Sequence, residues 1–158
     1  MKWITRERPK IDRIACPWLV KRFIDPEAEF LFVAADRVKT EAERLGATPF
    51  DIPGVELSHD GPRCSFDAFL KRYQLNEPAL LALATIVRAA DTDRLQDSPQ
   101  AAGLLAISLG LSANIKDDHQ LLAAGFVIYD ALYTWCHSGQ HERHTWQAGT
   151  ATGAGALP

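Results

Sequence analysis

The 158-residue sequence is 47% apolar with a formal net charge of -3, enough chain for one hydrophobic core and too little for two. So weak and mixed a charge excludes the electrostatic footprint of an autonomous nucleic-acid binder, and apolar stretches such as "LLAISLGL" and "LLAAGFVIYDALY" are too short or too interrupted to span a bilayer. Cys16, Cys64 and Cys136, odd in number and without a secretory signal, fit free thiols better than a disulfide framework, so the expectation is a soluble cytoplasmic protein.

In chain order, residues 11–24 carry an apolar helical stripe at Ile14, Trp18, Leu19, Phe23 and Ile24 that ends before Asp25-Pro26. Because proline is best tolerated at the first helical position, the helix is expected to start at Pro17 with Cys16 as its cap. "EFLFVAA" (29–35) reads as a strand and "KTEAERLG" (39–46) as a helix closed by Gly46. "TPFDI" and "VELSH", on either side of Pro53-Gly54, read as two short strands. Four helices are then expected, in "SFDAFLKRY" with Ser65 as cap, "EPALLALATIVRAADTDRL", "SPQAAGLLAISLGLS" with Ser98 as cap, and "DDHQLLAAGFVIYDALYTWC". The small-residue stretch "QAGTATGAGALP" cannot bury enough to order itself.

The fold class that fits is α+β: a small sheet from the N-terminal half covered by several helices, with helix in excess. One domain over residues 1–146 and a flexible tail over 147–158 follow.

Three groups of residues ask for more than a structural role. At 12–17, Asp12, Arg13, Cys16 and Pro17 stand together at a helix start, where unpaired N–H groups favour a thiolate or an anion. A small buried cysteine beside a salt-bridged Asp12 is the structural alternative. Within "VELSHDGPRCSF", strand alternation turns His59 to the apolar side with Val55 and Leu57, where it needs a carboxylate or metal partner. Glu56 would join it only if a bulge rotated the strand end. In "VRAADTD", helical spacing from Leu80, Ala84 and Val87 puts Asp91 on the core stripe, paired either with Arg88 or with a metal or His59. Cys136, His137, His141 and His144 lack the spacing of a designed site, and Asp130 is expected to satisfy tyrosine hydroxyls.

The segments "IDRIACPWLVKRFIDPEAEFLFV", "PFDIPGVELSHDGPRCSFDAFL", "ATIVRAADTDR", "GLLAISLGL" and "YDALYTWC" resemble, in the same order, the chromate-resistance domain family, the ChrB-type carboxyl-terminal domain. The resemblance runs to about residue 137. It implies an association with chromate-resistance operons and with partners that include rhodanese-like sulfurtransferase domains, and some members carry "VHDID" where this chain has "VRAAD". Arg88 therefore stands where those members offer a histidine.

Three functions are open on this reading. In the first, a metal- or oxyanion-stress domain holds a divalent ion (zinc, manganese or iron) on His59 and Asp91 with Asp12 or Glu56, while Arg13 and Arg88 orient the ligands or attract an anion. In the second, Cys16 is a catalytic thiolate in sulfur transfer or reduction. The third is a non-catalytic interaction module. Expected partners are a small anion or metal ion, with a second copy of the chain or a sulfurtransferase as assembly partner, and neither nucleic acid nor membrane.

Overall fold

The computed structural model describes residues 1–144, so the division expected at residue 146 and the tail beyond it lie outside the described residues. Three parallel strands, β1 (Lys2–Arg6), β2 (Glu29–Val33) and β3 (Thr48–Pro49), form one sheet in the order β2-β1-β3. The central strand is the one the sequence did not announce. In β1, Trp3, Ile4 and Thr5 are all fully buried, since a strand covered on both faces shows no apolar-polar alternation. Trp3 points into the main core, whereas Ile4 packs on the opposite face with Val38, Ala42, Ala47 and Ile52.

The first helix, α1 (Asp12–Leu19), fills the crossover from β1 to β2, and α2 (Val38–Leu45), closed by Gly46 at φ 60, fills the one from β2 to β3. Pro17 does not start α1 but lies inside it, and Cys16 is a helix-interior residue rather than a cap. The start is displaced because tertiary contacts hold the first turn: the Tyr129 hydroxyl donates to the Ile11 carbonyl at 2.8 Å and the Ser65 N–H donates to Asp12 at 3.2 Å. Pro17 then costs a single backbone bond, and the chain widens into a π turn over Val20–Ile24.

The carboxyl half is helical, as expected: α3 (Ser65–Arg72), α4 (Pro78–Asp91), α5 (Ala101–Asn114) and α6 (Asp118–Thr134). Pro78 occupies the first turn of α4, and Asp117 caps α6 by accepting from the Gln120 N–H at 2.8 Å. The α3 cap is Cys64, whose N–H donates to Asp67 at 3.1 Å, one residue before the expected Ser65. Ser98 precedes α5 by a turn instead of capping it. "VELSH" is not a strand: residues 50–64 form a loop of turns and bends tied to itself by Asp51 N–H donating to the Leu57 carbonyl at 2.9 Å. A small sheet with helix in excess is what the chain builds.

Candidate metal centre

The carboxyl ends of parallel strands, where loops diverge, are the usual binding edge of such sheets. Four element ends meet there. Asp12 is the first residue of α1, reached from β1 through a short loop, and Asp51 lies two residues past the end of β3. Ser65 opens α3, and Asp91 closes α4. The loop over residues 50–64 crosses the gap and lays His59 over them.

One imidazole nitrogen is the focus. His59 Nε2 lies 3.0 Å from Asp91 Oδ2, 3.2 Å from Asp12 Oδ2 and 3.4 Å from Asp51 Oδ1. A nitrogen has one hydrogen to give, so three carboxylates around it exceed what a hydrogen bond can satisfy. The spacing suits a shared cation: with metal–ligand distances of about 2.0–2.2 Å, neighbouring ligand atoms stand ~3.0 Å apart in an octahedron and ~3.4 Å in a tetrahedron. Asp12, His59 and Asp91 each offer an atom within 4.8 Å of the others.

Asp51 has other commitments. Its carboxylate accepts from Arg6 Nη2 at 2.6 Å and from the Ser65 hydroxyl at 2.9 Å, and Arg13 Nε stands 3.2 Å away. It is therefore an outer group that orients His59 and anchors two arginines, while Asp12, His59 and Asp91 remain available as ligands. Arg13 also donates to the Arg6 and Glu7 carbonyls, which fixes the loop between β1 and α1. That loop is strained where Ile11, directly before Asp12, has φ 44, and the loop after β3 has Asp51 at φ 51. A β-branched residue in this region persists only where surrounding contacts impose it.

Crowded negative charge shows in the titration of the group. Burial, then the charge of Asp12, pushes Asp91 up from 3.8 to about 7, and burial with Asp12 also raises Asp51. The hydrogen bond to Asp12, with the charges of Asp12, Asp91 and Asp51, lifts His59 from 6.5 to about 9. Burial and the neighbouring Arg6 push Arg13 below its ordinary value. Without a metal, a protonated His59 balances the carboxylates.

Other residues singled out from the sequence lie elsewhere. Glu56 is exposed and paired with Arg72 at 3.2 Å, and no bulge turns it toward His59. Arg88 pairs with Asp67 at 3.2 Å instead of Asp91, fastening α4 to α3. Cys16 is fully buried, and burial followed by the charge of Asp12 drives its pKa well above the ordinary thiol value, surroundings that oppose a thiolate. His59 itself is not turned inward with Leu57: its side chain is 41% exposed, and only its Nε2 edge meets the carboxylates. Asp130 satisfies no tyrosine. It accepts from Trp18 Nε1 at 2.7 Å and pairs with Arg22 at 2.6 Å, while Tyr129 donates to Ile11 and Tyr133 to Glu77. Asp51, Arg6 and Ser65 were missed, and the available signal was the acid two residues past the short strand in "TPFD".

An open groove of about 350 Å³, lined by Arg6, Asp51, Ile52, Pro53, Ser58 and His59, reaches the cluster from outside. Comparison with known proteins adds the lineage. The family model for the ChrB C-terminal domain matches residues 3–136, spanning both crossovers and all six helices. The chain belongs to the ChrB C-terminal domain family. Among its relatives is Protein ChrB of Cupriavidus metallidurans, 34% identical over 134 residues that cover 84% of this chain and 40% of that protein. The chain thus spans about 40% of the length of that ChrB relative. No solved structure matches. No helix among the described residues is long and apolar enough to cross a membrane.

Proposed function

We propose that this ChrB-type domain serves in metal and oxyanion stress and that Asp12, His59 and Asp91 hold a divalent cation at the carboxyl edge of its sheet. The carrying observation is the convergence of three carboxylates on one imidazole nitrogen at 3.0–3.4 Å. Two carboxylates and an imidazole suit zinc, manganese or iron. Three protein ligands leave room for a further one, and the groove lined by Arg6, Asp51 and His59 reaches the His59 side of the cluster. The bound ion supplies a Lewis-acidic position there. Asp51 and Ser65 keep His59 and Asp12 in place, Arg13 holds Asp51 from inside, and Arg6, which lines the groove and shares its charge with Asp51, is the positive group met by a small oxyanion of the chromate class. A cytoplasmic setting and assembly with a sulfurtransferase belong to this same reading.

A polar network that only fixes the fold would leave no entrance beside it, whereas the groove reaches His59 itself. The test uses the untagged protein: elemental analysis as purified, then titration of chelator-treated protein with zinc, manganese and ferrous iron. Stoichiometric binding of one of these ions, reduced at least about tenfold in affinity by His59→Ala and by Asp91→Asn, supports the site. No bound metal and no binding on titration contradicts it.

A further inference from the structure

The loop that carries His59 has a second hollow on its other side, a cavity of about 300 Å³ between that loop and α3. Every second residue of the loop faces it: Glu56, Ser58 and Asp60 line the cavity, while Leu57 is buried and His59 meets the carboxylates. From the helix side come Cys64, Asp67, Ala68 and Lys71, at the i, i+3, i+4, i+7 spacing that puts side chains on one face. Cys64 and Ala68 are small, so the middle of this face stays hollow.

The charges around the cavity do not cancel. Glu56 is paired with Arg72 at 3.2 Å, and Asp67 is held twice, by Arg88 at 3.2 Å and by the Cys64 N–H at 3.1 Å. Arg63 and Lys71 line the same cavity, and among the described residues neither side chain has an ion-pair or hydrogen-bond partner. Asp60 is the one lining acid left equally free. Its backbone is bridged to that of Arg63 by two hydrogen bonds of 3.1 Å, which fixes the turn that brings Arg63 to the cavity. Two free cations against one free acid leave the lining with a positive excess, which a bound anion lowers.

Size selects the kind of anion. A volume of ~300 Å³ is at the lower end of what small-molecule sites offer, and a single tetrahedral oxyanion would leave most of it to water. An organic carboxylate or phosphate monoester fills it better. Its head group takes Arg63 and Lys71 in charge-assisted hydrogen bonds. Its polar body meets Ser58, whose hydroxyl has no partner among the described residues.

We infer that the cavity between α3 and the loop over residues 56–63 is a binding site for a small organic anion held by Arg63 and Lys71. Ser58 lines both this cavity and the groove at His59, so the ligand lies against the loop that positions the metal cluster. The site stands apart from the metal reading, because Asp12, His59 and Asp91 do not line it.

The test is a titration of the isotope-labelled full chain, freed of metal and then of chelator, with succinate, glycerol phosphate and inorganic phosphate, followed by amide resonances. The expected result is saturable shifts centred on residues 56–72 for at least one organic probe, with a Kd on the order of 1 mM and inorganic phosphate at least about tenfold weaker. Which organic probe binds tells a carboxylate site from a phosphate-ester site. Arg63→Gln and Lys71→Gln, both at exposed positions, should keep the melting temperature and each weaken binding at least about fivefold. Ala68→Leu should abolish binding by filling the hollow, and Lys39→Gln, at an exposed position of α2, should leave it unchanged. No saturation by about 20 mM, inorganic phosphate binding as tightly as the organic probes, or binding indifferent to both Arg63→Gln and Lys71→Gln overturns the inference.

Discussion

Raising the pH of the metal-free protein from about 5.5 to 8.5 should weaken it. His59 has its pKa raised from 6.5 to about 9, so the stability it contributes is complete below 6.5 and is lost as pH rises through about 9. Asp91, raised from 3.8 to about 7, acts in the same direction. The folded chain holds a proton that the unfolded chain has released, so stability declines from near pH 4 until Asp91 is ionised, above about pH 7. Between about pH 5.5 and 8.5, Asp91 holds its excess proton over ~1.5 pH units, a loss of ~2 kcal/mol. The same arithmetic gives ~2.5 kcal/mol for His59, of which solvent screening of its half-exposed ring leaves about half. The sum, ~3 kcal/mol, is a large part of the ~5–15 kcal/mol that usually holds a domain together. Urea unfolding in chelator, followed by tryptophan fluorescence, measures it. Saturating metal should reverse the slope, because the ion needs a neutral His59 and ionised acids. Equal or greater stability of the metal-free protein at pH 8.5 would refute the charge arrangement argued for this cluster.

Further expectations concern what surrounds the centre. A Cβ at Gly125 of α6 would clash with Ile14 Cγ2, two residues past Asp12. Overpacking of ~1–3 kcal/mol outweighs the helix-propensity gain of about 1 kcal/mol, so Gly125→Ala should lose ~1 kcal/mol in urea unfolding; Ile14→Ala in the same chain should remove that cost, and additivity of the two would contradict the contact. Cys16, Cys64 and Cys136 are buried, with burial raising the pKa of each. A disulfide reagent at neutral pH should find no fast thiol in the native protein and three after denaturation, so rapid labelling of Cys16 would revive a thiolate role. Because Arg88 pairs with Asp67, Arg88→Ala should cost about 1 kcal/mol of stability and leave metal affinity within about twofold; a larger loss of affinity would put Arg88 back at the site.

What could be read from the sequence was what rests on helical period. Asp91 was placed on the core stripe of its helix by spacing alone, and the helices of the carboxyl half came with their order. Strand β1 escaped because both its faces are covered and charges bracket five residues, which hides it from any two-residue alternation. The alternation in "VELSH" misled for the opposite reason: the segment has the pattern of a strand but no strand beside it to bond with, so it turns. That error misplaced His59 and brought Glu56 forward, while the true companion, Asp51, came from chain geometry. A five-residue strand and a two-residue strand, parallel neighbours, end side by side and bring positions 12 and 51 together. Long-range pairing of this kind leaves no local trace. Pro17 misled through a sound local rule overridden by the contacts that pin Ile11 and Asp12.

The presence of a cation between Asp12, His59 and Asp91 is tested most directly by diffraction from metal-loaded crystals at the absorption edge of the added ion. The account predicts an anomalous peak within about 2.0–2.2 Å of His59 Nε2 and of one oxygen each from Asp12 and Asp91. Asp51 should stay on Arg6, Arg13 and Ser65. A site without anomalous density at saturating metal, with His59 still hydrogen-bonded to Asp12, would contradict it.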